Sequence, residues 1–125
     1  MAHTIIWKQN CLYRKFTGEI TAEEILKSNF DMHAHPRFAK IKYLVNDFSE
    51  VTAAHMDEGH TQIFASTDDI ISDTKGKLKI AIVTSNNPAH IELAEGYRAA
   101  MEHKLFECEI FASVKDAKQW GEQSQ

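Results

Sequence analysis

The run Leu78-Lys79-Ile80-Ala81-Ile82-Val83-Thr84 constrains the fold of this chain most. It is nearly continuously apolar and lacks the alternation of a strand with one face in water. Such a run marks a strand covered on both faces, as in parallel sheets flanked by helices. A second apolar run, Tyr43-Leu44-Val45, stops in the polar turn Asn46-Asp47-Phe48-Ser49, and a helical pattern follows. It reads as a central strand, Ile41 to Asn46, that delivers Asp47 and Ser49 to the mouth of a helix.

The remaining segments fit around these two strands. Thr4–Lys8 and Cys11–Phe16 are rich in β-branched and aromatic residues, with Gln9-Asn10 as a turn between them. They predict a hairpin, ended by Gly18. Thr21 and Glu24 form a capping-box pattern, and Ile20 and Ile25 stand where a hydrophobic staple needs them. The helix that starts there presents Ile25, Leu26, Asn29, Phe30 and His33, and Pro36 stops it near His33–His35. A longer helix is expected from Thr52 to Ile71, with Met56, His60, Ile63, Phe64, Thr67, Ile70 and Ile71 on its apolar face. Asn87 and Pro88 open a third helix, buried through Ile91, Ala94, Tyr97 and Met101. A last strand, Glu107–Phe111, leads to a short helix begun at Ser113 and closed by Ala117 and Trp120. The order ββαβαβαβα predicts one α/β domain over residues 1–125, with a mainly parallel sheet of four or five strands, packed helices and an antiparallel edge from the hairpin.

Charge and cysteine content narrow the function. The formal net charge is −4 and the basic residues are scattered, which argues against nucleic acid as a partner. No run approaches the ~20 apolar residues that span a membrane, and residues 1–8 do not form a signal peptide. The expected location is the cytoplasm. Cys11 and Cys108 read as free thiols, and whether they lie close is left open.

In order and spacing, three motifs resemble the SpoIIAA-like family, which is related to the STAS domains of anti-sigma-factor antagonists. They are Phe16-x-Gly18-x-Ile20-Thr21-x-Glu23-Glu24, then Tyr43-Leu44-Val45-x-Asp47-Phe48-Ser49, then Ile110-Phe111 with Ala117-x-x-Trp120. The resemblance spans nearly the whole chain. It implies a bacterial α/β regulatory or ligand-binding domain, with an architecture also similar to SEC14/CRAL-TRIO lipid carriers. It further implies a phosphoacceptor Ser at the start of the helix after the central strand, in an Asp-Ser-Ser-Gly-like stretch. Here that stretch is Thr52-Ala53-Ala54-His55-Met56, so Ser49 and Thr52 are the nearby hydroxyls.

Ligands of open α/β sheets bind at the carboxyl ends of the strands, where crossovers diverge. That rule selects Asp47, Ser49 and Thr52 from one turn and Ser85, Asn86 and Asn87 from the other as candidate ligand-binding residues. Several of them are also ordinary helix caps. No metal or cofactor is expected: His33 and His35 diverge on a helix, and His55 and His60 are five apart rather than four. There is no Gly-x-Ser-x-Gly and no phosphate loop. The reading is therefore a non-catalytic binding or regulatory domain that acts through a protein partner. The alternative is a carrier of a small apolar or anionic ligand. A weaker alternative is a small hydrolase-like enzyme using Asp47, Ser49 and His55. An apolar stripe on the long helix leaves room for a second copy as partner.

Overall fold

The structure, a computed structural model, describes residues 2–123. Two strands open the chain, β1 (Ala2–Trp7) and β2 (Cys11–Thr21). They pair antiparallel from Ala2 opposite Thr17 to Trp7 opposite Leu12, so the expected hairpin forms. Thr21 ends β2 and caps α1 (Ala22–Ala34). Its hydroxyl accepts from the Glu24 amide, and the Glu24 carboxylate accepts from the Thr21 amide. Ile20 and Ile25 on either side of this cap are buried in the same core. Pro36 then starts a single 3-10 turn, Pro36–Lys40. Next come β3 (Tyr43–His55), α2 (Glu58–Lys75), β4 (Leu78–Val83), α3 (Pro88–Ala100), β5 (Phe106–Phe111) and α4 (Val114–Glu122).

The five strands form one sheet in chain order, β1-β2-β3-β4-β5. β2 to β5 are parallel, and β1 alone runs against them. With strands in sequential order, every right-handed crossover steps the same way, so the crossing helices share one face. Accordingly α1, α2 and α3 cover Leu12, Phe16, Leu44, Ile80, Ile82 and Phe106. The opposite face carries α4, whose Ala117 packs with Tyr43, Val45, Ala81 and Val83. Alternate residues of β4 thus feed two cores, as its unbroken apolar run requires.

Lys79 is the exception in that run. It faces α4, and its Nζ donates to the carbonyls of Trp120 (3.0 Å) and Gln123 (3.1 Å). The Trp120 carbonyl also accepts from the Gln123 amide at 3.2 Å, and both carbonyls lie at the end of α4, so the buried lysine is satisfied while it ties α4 to the sheet. Gly121 lies against Tyr43 so closely that a Cβ there would overlap the ring.

The central strand is longer than its sequence pattern shows. Asp47-Phe48-Ser49 was expected as a turn and Thr52 as a helix start, but β3 continues through both to His55. Two irregularities in the β2–β3 ladder explain the misreading. Lys15 pairs with Asp47 but Thr17 with Glu50, and Gly18 pairs with Val51 but Glu19 with Ala53. Each step places one extra residue in β3, as a β-bulge does. Phe48, Val51 and Ala54 therefore line the same side although they are three apart, a helical rather than a strand spacing. Gly18, at φ +72°, sits at the second irregularity. α2 starts only after Asp57, whose carboxylate accepts from the His60 amide at 3.2 Å.

The inward face of α2 also differs from expectation. Thr61, Phe64, Ala65, Asp68 and Ser72 are buried, whereas Ile63 is 52% and Ile70 70% exposed. The Thr61 and Ser72 hydroxyls donate to the Glu58 and Asp69 carbonyls of their own helix (2.7 and 2.6 Å). Satisfied in this way, polar side chains can turn inward. In α1 likewise, Ser28 and Asn29 are buried and Phe30 is exposed. Cys11 faces α4 from β2, while Cys108 faces the other core from β5. Three strand spacings and the sheet itself separate them, roughly 14 Å, beyond disulfide reach, and both are free.

Candidate functional site

The carboxyl edge of the sheet does not form a crevice by topology. A sheet in sequential order has no point where neighbouring crossovers diverge. Asp47 lies opposite Val83, so the two predicted segments do meet along one edge. Asp47 is only 2% exposed, however, and it faces the α4 side. Tyr13 Oη donates to its Oδ2 at 2.6 Å, and the Ser49 amide donates to its Oδ1 at 3.0 Å. Burial raises the Asp47 carboxyl, but these bonds and the charge of Lys15 outweigh it and hold the group below the ordinary aspartate value. The same burial and the facing carboxylate push the Tyr13 hydroxyl well up. Both oxygens of Asp47 are thus engaged within the fold.

Ser49 and Thr52 are exposed on β3 rather than at a helix start. Ser85 Oγ lies 2.7 Å from His90 Nδ1 and accepts from the Asn87 amide at 3.3 Å. Asn87 Oδ1 accepts from the Ala89 amide at 2.9 Å, and Asn86 is exposed beside it. Together these contacts build the N-cap of α3. His55 bonds Glu19 at 2.8 Å and stands six strand residues from Ser49, roughly 15–20 Å. Asp47, Ser49 and His55 are therefore not assembled. Among the described residues no three His, Cys, Asp or Glu side chains are placed to hold a metal, and no helix is long and apolar enough to cross a membrane.

The fold encloses a different site. Between the sheet and α1–α3 lies a cavity of about 110 Å³. Its walls are mostly apolar: Ile25 and Met32 from α1, Phe64 from α2, Leu44, Ile80 and Phe106 from the strands. Its half-exposed wall residues, including Met56, Thr84, His90 and Leu93, cluster where the strands end and where α2 and α3 begin. The cavity meets the surface on that side, beside the predicted carboxyl edge.

Besides Thr61, whose hydroxyl is bonded within α2, five buried polar side chains converge on the cavity: Arg14, Asn29, Asn46, Asp68 and Tyr97. Strand alternation turns Arg14 inward between Leu12 and Phe16. Arg14 Nε donates to Asn46 Oδ1 at 2.9 Å and its Nη1 to Ser28 Oγ at 3.0 Å. The guanidinium lies 5.5 Å from the Phe16 ring centre, and Phe16 stacks on Phe48. Tyr97 Oη donates to Asp68 Oδ2 at 2.6 Å. His33 Nε2 lies 3.3 Å from Asp68 Oδ1, near enough for an ion pair when protonated but not aligned for a hydrogen bond. Asp68 Oδ1 and Asn29 Oδ1 thus have no hydrogen-bond donor among the described residues.

No ion pair joins Arg14 to a carboxylate among the described residues. Burial pushes its guanidinium down to about 10, although the charge of Asp68 works the other way. It still carries its positive charge at neutral pH. Burial first, and then Asp68, push the Tyr97 hydroxyl well above its ordinary value, so it remains a donor. The cavity therefore presents a cation and two unsatisfied acceptors among apolar walls. Neither Arg14 nor Asp68 was singled out from the sequence; Asn46 was read as part of the polar turn after the central strand, and Asn29 and Tyr97 as residues of helix faces. A signal existed for Arg14: a charge at an inward position of an alternating strand.

No protein-family model and no curated protein sequence matches the chain. Solved structures do. One is the anti-sigma factor antagonist SpoIIAA in its unphosphorylated form, with TM-score 0.63 and 6% identity over 99% of this chain and 100% of that one. Another is an uncharacterised protein of the DUF3478 family from Shewanella loihica PV-4 with a SpoIIAA-like fold. It aligns with TM-score 0.50 and 20% identity over 95% of this chain and 91% of that one. On these likenesses and its five-stranded, mostly parallel sheet, the chain has the SpoIIAA-like, STAS-related fold.

Proposed function

We propose that this protein is a non-catalytic binding domain whose ligand, a small and mainly apolar molecule, occupies the cavity between the sheet and α1–α3. The observation that carries this reading is the cavity itself. Protein interiors close-pack, and a 125-residue domain has little volume to spare. A mostly apolar chamber with a few convergent polar groups is the usual form of a small-molecule site. The experiment is a methyl-resolved NMR titration with benzene, a small apolar probe. Shifts at Ile25, Met32, Ile80 and Ile82 are expected. Shifts confined to the exposed Ile63 and Ile70, or none at saturation, would reject the cavity as a ligand site.

A second reading is regulation through a protein partner. It is supported by the likeness to an anti-sigma factor antagonist and by the exposed polar side chains Ser49, Thr52, Asn86 and Asn87 along the carboxyl edge. On this reading Ser49 or Thr52 is the phosphoacceptor and Ser85 positions the α3 turn. Incubation with ATP and a cell lysate, followed by mass spectrometric mapping, tests it. Unmodified Ser49 and Thr52 would remove the phosphorylation step.

A further inference from the structure

The polar groups of the cavity specify more than an apolar occupant. We infer that it takes a short aliphatic carboxylic acid bearing a hydrogen-bond donor beside the carboxylate, a small α-hydroxy or α-amino acid. The carboxylate meets Arg14, the donor meets Asn29 Oδ1, with an ammonium able to reach Asp68 Oδ1 as well, and the aliphatic end lies among Ile25, Met32 and Ile80. This deepens the ligand-binding reading and rests on it.

Three observations carry the inference. Arg14 is 2% exposed, and its partners in the fold, Asn46 and Ser28, are neutral. A buried guanidinium without an adjoining carboxylate gains from an anion, and its planar fork matches a carboxylate in two parallel bonds. Asn29 is 5% exposed, lines the cavity, and has an Oδ1 without a donor among the described residues. Leaving such a buried acceptor unsatisfied is costly, so a ligand that brings a donor is favoured over one that does not. Asp68 supplies a second open acceptor and repels a carboxylate, so it orients the acid toward Arg14. The size agrees. A cavity of about 110 Å³ that opens at one side is of the order of the ~150 Å³ one that holds benzene, so it admits only a molecule of about benzene's size.

The test is calorimetric titration of the whole protein with five probes. L-2-hydroxybutyrate and L-2-aminobutyrate carry both groups, and they separate a neutral donor from an ammonium. Butyrate lacks the donor, 1,2-butanediol lacks the carboxylate, and benzene lacks both. One or both of the first two should bind about tenfold more tightly than butyrate and more tightly still than the diol, a factor of ten being one buried hydrogen bond. Arg14→Met should abolish the preference for acids, but it removes two internal bonds and risks misfolding. Asn29→Leu avoids that risk, because Asn29 Oδ1 holds no partner among the described residues. It should fold normally, keep butyrate affinity, and lose the tenfold advantage of the donor-bearing acids. If the diol or benzene binds as well as the acids, or Asn29→Leu leaves all affinities unchanged, the inference is wrong and the cavity reading stands. If no probe binds, benzene included, both are wrong.

Discussion

Tyr97→Phe removes one oxygen atom and leaves the ring. That oxygen donates to Asp68 Oδ2 at 2.6 Å, and both side chains are buried. Oδ1 has no donor, so the variant leaves the carboxylate with no hydrogen bond among the described residues. A hydrogen bond to a buried charge contributes about 1.5–3 kcal/mol, and stranding the charge adds to the loss. The expected destabilisation is therefore about 3 kcal/mol. At about 2.1 cal/mol/K per residue, a chain of 125 residues unfolds with an entropy near ~0.26 kcal/mol/K, so Tm should fall by about 11 °C. Urea unfolding followed by circular dichroism should show the same loss as a lower midpoint at unchanged slope. In an Asp68→Asn background the same Tyr97 change should cost only about 1 kcal/mol, the value for a neutral pair. A loss below about 1 kcal/mol in the wild-type background, or equal losses in both, would refute the argument that a stranded charge dominates this cluster.

Four further outcomes follow from the geometry. Gly121→Ala drives a methyl into the buried Tyr43 ring, so it should destabilise by about 1–3 kcal/mol, read by the same urea melts. Asp47 is held below its ordinary value of 3.8, so its contribution is fully present at neutral pH and is lost as pH falls through the folded value. The advantage of wild type over Asp47→Asn should be about 1–2 kcal/mol at pH 7 and should shrink in melts taken below pH 3.8. Thr21→Ala removes the hydroxyl that accepts from the Glu24 amide, leaving only the bond from the residue 21 amide to the Glu24 carboxylate, and should lower stability by about 1 kcal/mol, with faster amide exchange in the first turn of α1 as its signature. Asn29→Leu replaces an amide whose oxygen has no donor among the described residues with an apolar group of similar size, so its Tm should equal or exceed that of wild type.

The parts of the fold that were legible in the sequence are those carried by local chemistry. The apolar run of β4, the Thr21–Glu24 cap and Pro36 each act over a few residues, and each sits where it was read. The element order follows from them. β3 was cut short because its two bulges change the spacing of Phe48, Val51 and Ala54 from two to three, which imitates a helix. A bulge is a property of the ladder with β2, and one strand's sequence does not display it. The inward face of α2 was misplaced because Ile63 and Ile70 are apolar yet exposed, while Asp68 is charged yet buried. What makes Asp68 tolerable is Tyr97, twenty-nine residues away on another helix. The cavity was illegible for the same reason: its polar set comes from β2, α1, β3, α2 and α3, and no spacing within a single segment reports it. The carboxyl-edge rule was applied to a sheet whose order was unknown, and the sequential order removes the divergence on which that rule depends.

The most direct measurement is a crystal structure of the protein grown in saturating L-2-hydroxybutyrate. The account predicts one molecule inside the sheet–helix cavity, with its carboxylate within about 3.2 Å of the Arg14 guanidinium and its hydroxyl within hydrogen-bond distance of Asn29 Oδ1. Water alone between Arg14 and Asp68, or the acid bound only on the outer surface, would contradict it.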